Sequence, residues 1–454
     1  MCAKQTVPVD PKLDQEFDRA FEQIQELVDL SQADLLHPTR SNAVYTTSVV
    51  LWMLVYQRMN PDASLEAAVK KLLDSRPDLL PDNKRVMNGT LSTRTGAYSR
   101  ARSRLPPSAA EWLATEVSQS LIEASPASHG NRRVFMIDGT TITLPPEEEL
   151  QQLYPPASNQ YGEGVWPVAL LVVAHELASG AALIPEVGAM YGPQAVSETA
   201  LIDNCLAQMP ADSIVMADSG FGIFSVAHKI DQTGMLFLLR MTKQRFDRLR
   251  KTAILIDEGA NWKTWSCPWQ PSPSERKKHP DLPDDVMLSV QLHEIETGEG
   301  KPLYLVTNLE ETVEMLSDLY ARRNDVEIDI RNIKVVLDTE NIRARSVEMF
   351  HKELLTSMVA YNLVVQFRRQ AADLVKLPPR RMSFKRIWTT FRQFLLSAMY
   401  TRADEWREKY RRALSIAMQD KLPNRPGRNY PREAYKRRPK STHFKNRKKD
   451  SDST

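Results

Sequence analysis

Two stretches of this chain share one pattern: a short apolar run, then an aspartate, then a glycine within two residues. Val134-Phe-Met-Ile137 leads into Asp138-Gly-Thr-Thr, and Ile214-Val-Met-Ala217 leads into Asp218-Ser-Gly-Phe-Gly222. Short apolar runs that stop at turn-forming residues read as buried strands. Spacing predicts a helix over Ser197–Met209 and a further strand over Met235–Leu239. Strand–helix–strand alternation builds an α/β sheet, and in such sheets functional groups collect at the carboxyl ends of strands. Each aspartate alone also fits an ordinary strand-to-turn junction, for which Asp-Gly is a common pair. Between them, Trp166–Ala174 and Ala182–Pro185 read as two more strands, the first preceded by a polar loop at Asn159–Gly164.

Upstream, Leu13 to Ala124 reads as helical, with apolar residues at helical spacing in Phe17–Leu30, Val44–Met59, Leu65–Leu73 and Trp112–Ile122. Pro106-Pro107 punctuates this region, and Ser108 with Glu111 has capping-box spacing. The stretch Asn88–Arg104 is rich in hydroxyls and arginine and contains no acid. That chemistry suits phosphate contacts or a solvated connector.

Arg245 to Asn308 breaks the alternation. Val286–Leu292 and Leu303–Thr307 alternate as strands, giving a β-rich insertion that carries Trp262, Trp265 and Trp269. Tryptophan is usually substantially buried, so packing is one use of these rings; stacking on unpaired bases is the other.

The stretch Tyr320–Lys334 follows. On a wheel of about 100° per residue, Tyr320, Arg323, Glu327 and Lys334 form a polar stripe roughly 60° wide. Met315, Leu319, Val326, Ile330, Ile333 and Leu337 form an apolar stripe beside it. An acid, an aromatic hydroxyl and two cations thus line the lip of a core, where a surface helix of mixed charge is the plain alternative. Beyond it come a basic corner at Asn341-Ile-Arg343-Ala-Arg345-Ser346 and a long amphipathic helix over Val347–Arg369. A basic segment with Pro378-Pro379 then leads to helical spacing over Ile387–Met418.

Charge is unevenly spread. Lys421 onward carries twelve Lys and Arg against Glu433, Asp450 and Asp452, a net of +9 in a chain whose total is +3, so the rest carries −6. A basic tail without a core pattern is expected to be disordered, and it suits a polyanion partner or serves solubility. Cys2, Cys205 and Cys267 are widely separated, which argues against a disulfide framework or thiolate zinc site and suits a reducing cytoplasm. No N-terminal stretch has signal-peptide form, and the longest apolar run is too short to cross a bilayer.

The order Tyr, two residues, Arg, three residues, Glu, six residues, Lys resembles the signature helix of DDE transposases of the insertion sequence 4 type. Asp138-Gly-Thr and Asp218-Ser-Gly-Phe stand where that family places its first two acids. The resemblance covers about residues 85 to 440 and departs at Ile328-Asp329-Ile330, where relatives usually carry an aromatic. It implies an α/β catalytic core of ribonuclease-H-like fold with a β-rich insertion and flanking all-α N- and C-terminal regions. The corresponding divisions are a helical DNA-end-binding region 1–130, core 131–244, insertion 245–308, and second core part 309–372. A helical region 373–420 and the tail 421–454 follow.

The resemblance also assigns roles. Asp138, Asp218 and Glu327 become catalytic metal ligands, with Asp138 bridging two ions. Three carboxylates brought together repel unless a cation intervenes, and hard Mg²⁺ or Mn²⁺ suits oxygen donors. Tyr320, Arg323, Lys334, Arg343 and Arg345 become DNA contacts, and a tryptophan of the insertion holds a flipped base. The implied activity is cleavage and strand transfer at element ends through hairpin intermediates. The partners are double-stranded DNA of ends and target and a second copy of the chain, in the cytoplasm and on the nucleoid when DNA-bound. Two other functions fit the same residues: a nuclease of this fold that does not join, and a domesticated DNA-binding protein.

Overall fold

The apolar runs at Val134 and Ile214 become neighbouring strands of a single mixed sheet. In the computed structural model, residues 11–27, 29–60, 64–75, 80–159, 162–297, 302–336, 342–398 and 405–423 are described. The strands are β1 (Val134–Thr143), β2 (Pro156–Asn159), β3 (Gly162–Glu176), β4 (Glu186–Ala189) and β5 (Ile214–Ala217). They continue with β6 (Leu236–Arg240), β7 (Ile254–Glu258), β8 (Trp262–Trp269), β9 (Leu288–Glu296) and β10 (Pro302–Thr307). Their order is β2-β3-β1-β5-β6-β10-β9-β8-β7, with β4 also on β3. β1, β5 and β6 run parallel, and the remaining pairings are antiparallel. Strands β7 to β9 therefore extend the same sheet through β10 and β6.

Alternation along β1 and β5 gives the sheet two apolar faces. Val134, Met136, Ile214 and Met216 face one core, shared with Leu316, Leu319, Val326 and Ile330. Phe135, Ile137, Val215 and Ala217 face the other, larger core, shared with the helix Val347–Leu374. Each fully buried Leu, Ile or Phe in these layers contributes about 1.5–3 kcal/mol.

That long helix packs against the helices Thr47–Met59, Pro107–Glu123 and Phe384–Ala398. Its sequence reads as amphipathic, yet it is buried on nearly every side. Two of its charged positions are matched internally. Glu353 receives Arg58 at 3.3 Å and Arg102 at 2.8 Å, and Lys352 Nζ donates to the carbonyls of Arg102 and Ser103. Buried charges are tolerable when paired in this way.

Several local expectations change. β1 does not end at Asp138 but runs five residues on, because β3 pairs with it as far as Thr143. Ala182–Pro185 is not a strand, apart from one bridge at Ala182; the strand falls at β4. Ser197–Met209 holds only a 3₁₀ turn, Glu198–Ala200, and a short helix, Asp203–Ala207. Ser108 caps nothing: its helix already begins at Pro107, and proline is well suited to a first helical position. Cys205 and Cys267 are buried and unbridged. Cys2, Leu337, Asn341 and the tail from residue 424 lie outside the described residues.

Candidate active site

Asp138 and Asp218 come together through strand register. Ile137 and Ala217 are the last pair of the parallel β1–β5 ladder, so Asp138, still in β1, and Asp218, just past the end of β5, follow side by side on strands about 4.8 Å apart. Both fall on the face that carries Met136 and Met216. Each carboxylate accepts from a nearby backbone amide, within β1 for Asp138 and in the turn for Asp218: Gly139 N–H donates to Asp138 Oδ1 at 2.9 Å, and Gly220 N–H to Asp218 Oδ1 at 2.7 Å. The turn after Asp218 is tied down further by Arg245 Nη1, 2.6 Å from the Ser219 carbonyl. It also lies so close to β6 that a Cβ on Gly222 would overlap the Arg240 carbonyl.

The third acid arrives from the helical layer over that face. The stretch read as one helix is two, Val313–Ala321 and Asn324–Val336. They are joined by a tight turn in which Arg323 N–H bonds back to Tyr320 at 2.9 Å and Val326 N–H to Arg323 at 3.1 Å. Such three-residue spacing is 3₁₀ geometry, and it keeps the two helices nearly in phase. Val326, Ile330 and Ile333 are buried as expected, but Met315 is exposed. Tyr320 lies in the core instead of on its lip, and its hydroxyl has no hydrogen-bond partner among the described residues.

Arg323 links the parts. Its guanidinium donates to Glu327 Oε1 at 2.6 Å and lies 3.9 Å from Asp138 Oδ2. One cation thus stands between two of the three acids. Among the described residues no three carboxylate, imidazole or thiolate groups meet as a ready-made ligand set: Asp138 and Asp218 adjoin, and Arg323 separates them from Glu327. Lys334 lies seven residues beyond Glu327, about two turns along the same helix face.

Electrostatics single out Asp138. Burial pushes its carboxyl up to about 6; the Gly139 N–H opposes this, Asp218 adds to it, Arg323 opposes it and Glu198 adds to it. Tyr320 is pushed up to about 12, chiefly by burial. Strongly shifted groups around paired acids are common at functional sites.

Other expected contacts lie elsewhere. Arg343 and Arg345 line a separate cleft with Ser99, Arg102 and Lys352; the Arg343 N–H bonds Glu353, and Arg345 lies 3.5 Å from Glu147. Trp265 and Trp269 are buried edge-on against Phe246 and Phe224, so those two rings serve packing. Arg102, in the hydroxyl-rich stretch, is committed to Glu353.

Sequence reading missed two groups. Asp329, within the stretch that departs from the family pattern, is 1% exposed and pairs with Arg380 at 2.5 Å. Arg380 also reaches Asp325 at 3.5 Å and donates to the Leu177 carbonyl. This ionic cluster pins the back of the helix bearing Glu327. Glu198, the second, lies in a loop without periodicity, and only its place in space marks it.

The family described as Transposase DDE domain matches residues 129–363, more than half of the chain. Over 399 residues the chain is 24% identical to the transposase InsG for insertion sequence element IS4 of Escherichia coli strain K12, covering 85% of this chain and 84% of that protein. Among solved structures, the cryo-EM structure of the piggyBac transposase synaptic complex with hairpin DNA matches 96% of this chain and 90% of that one. The identity there is 10% and the TM-score 0.38.

Proposed function

The chain belongs to the transposase DDE domain family and is a transposase, and we propose that Asp138, Asp218 and Glu327 are its catalytic acids. The observation that carries this reading is the β1–β5 register, which makes two acids neighbours on the face covered by the helix of the third. The antiparallel β3–β1 pair followed by parallel β1, β5 and β6 supports a ribonuclease-H-like core.

The donor set fits hard divalent cations. All three side chains offer carboxylate oxygens, and the buried Asp138 anion is disfavoured until positive charge is supplied. Mg²⁺ or Mn²⁺ held there, two per site in this reading, would activate the attacking hydroxyl or water and stabilise the leaving oxygen. Asp138 and Asp218 would be the fixed ligands. Glu327 would join them by giving up its bond to Arg323, which frees that guanidinium for a DNA phosphate as a bidentate fork. Lys334 would hold a further phosphate as a point charge, and the orphaned Tyr320 hydroxyl would donate to an oxygen of the substrate.

DNA ends would be gripped by the N-terminal helices. A cleft of about 650 Å³ there is lined by Arg40, Arg85, Arg100, Arg104, His37 and Tyr45. Arg100→Ala with Arg104→Ala is expected to weaken DNA retention and to lower the salt slope by about 1 for each phosphate no longer neutralised. Filter binding across a salt series measures it, and an unchanged slope places the ends elsewhere. Arg343, Arg345 and the basic tail would add backbone contacts, and two copies would bridge two ends.

Incubating full-length protein with linear DNA carrying the flanking inverted repeats and Mg²⁺ tests the reaction. Hairpin-ended and joined products are expected. Cutting without joining would point to the nuclease, and retention without cutting to a DNA-binding protein.

A further inference from the structure

The sheet is notched beside Asp138. β5 stops at Ala217, whose partner is Ile137, while β1 continues to Thr143 paired with β3 alone. Gly139 therefore has an open edge on the β5 side. Glu198, first residue of the turn Glu198–Ala200, lies across that opening, so close that a Cβ on Gly139 would overlap its carboxyl group. Side chains alternate along β1, so position 139 points to the face opposite Asp138. Glu198 thus approaches the acids from the side of the sheet away from Glu327.

Its surroundings are unfavourable for an ordinary glutamate. Burial and the charge of Asp218 push its carboxyl up, and Glu198 in turn pushes up Asp138. No cation pairs with its carboxylate and no donor bonds it among the described residues. A partly buried carboxylate beside another acid, with no cation of its own, is costly, and a loop side chain would normally turn to water.

A second observation concerns Asp138 and Asp218 themselves, from the face of Glu327. The Tyr320 residue is 6% exposed, its hydroxyl is unpartnered, and the charges acting on it are those of Arg323, Arg240, Asp218 and Asp138. Access is open as well. Glu198 lines a cleft of about 1000 Å³ that is shared with Gly220, Arg245, Arg248 and Lys278, so a hydrated cation and a phosphate can both enter there.

We propose that Glu198 is a fourth carboxylate of the divalent-cation site, serving it from the sheet face opposite Glu327, and that Gly139 lacks a side chain in order to admit it. The assignment rests on Asp138, Asp218 and Glu327 being cation ligands.

Mn²⁺ binding to the full-length protein without DNA, followed by the electron paramagnetic resonance of free Mn²⁺, tests it. Glu198→Gln is expected to weaken Mn²⁺ binding by about 10- to 100-fold, and Gly139→Ala to weaken it by displacing Glu198. Asp138→Asn is expected to weaken it at least as much. Wild-type affinity in Glu198→Gln, with affinity lost in Asp138→Asn, overturns the role of Glu198 alone. Wild-type affinity in both overturns the active site itself. Glu198→Asp keeps the charge on a shorter arm and covers the case in which Glu198→Gln fails to fold. Its affinity should fall between wild type and Asp138→Asn, and a wild-type value overturns the proposal.

Discussion

Asp138→Asn is expected to abolish cutting and joining of element-end DNA while the protein still retains that DNA. Asparagine keeps the volume and an acceptor for the Gly139 N–H, 2.9 Å away in the native protein, but it removes the charge. Charge stabilisation at a metal-assisted displacement is worth several kcal/mol, which at 1.36 kcal/mol per tenfold means a loss of about 10³-fold or more. The fold should not suffer. Burial already disfavours the Asp138 anion, and Arg323 keeps Glu327 as a partner. The melting temperature is therefore expected to hold or rise slightly. Single-turnover cleavage, a thermal melt and gel retention together check this. Persistent cutting by Asp138→Asn would sink the assignment.

Asp329→Ala should show the opposite balance, a large loss of stability followed by a loss of activity. Asp329 is nearly inaccessible and holds the Arg380 guanidinium at 2.5 Å, with Arg368 buried nearby against Gly180. Removing one member of a buried pair leaves uncompensated charge and costs about 3–5 kcal/mol. The helix bearing Glu327 would lose its tie to Leu177, since Arg380 carries both contacts. Urea unfolding measures the loss, and a change under about 1 kcal/mol would show that the cluster holds nothing. The double replacement Asp329→Leu with Arg380→Met is expected to recover much of the stability, because an apolar pair of similar bulk needs no counter-charge.

The sequence made some of this legible and hid the rest for physical reasons. β1, β5 and β6 announce themselves because four apolar residues in a row have few other uses. Gly139-Thr-Thr-Ile, the second half of β1, does not: its pairing with β3 outweighs weak local preference. The burial of Val347–Leu374 is masked by Lys352 and Glu353, which bond residues some 250 positions away. The wheel keeps Arg323 and Glu327 together, as their ion pair shows, but misplaces Tyr320, because a turn interrupts what reads as one helix. Asp329 and Arg380 are 51 positions apart, and no spacing rule links them. Glu198 has no periodic neighbours, so nothing in the linear text separates it from other loop acids.

The acids are drawn from opposite ends of a long stretch of chain, and that has a consequence for the moment of synthesis. A ribosome that has released β1 and β5 has exposed Asp138 and Asp218, but neither Glu327 nor the Arg380 that steadies its helix. On the proposed assignment, such a fragment lacks one of the three acids and could not assemble the cation site. If the assignment holds, the order in which the parts emerge delays assembly of the site until the helix of Glu327 is made.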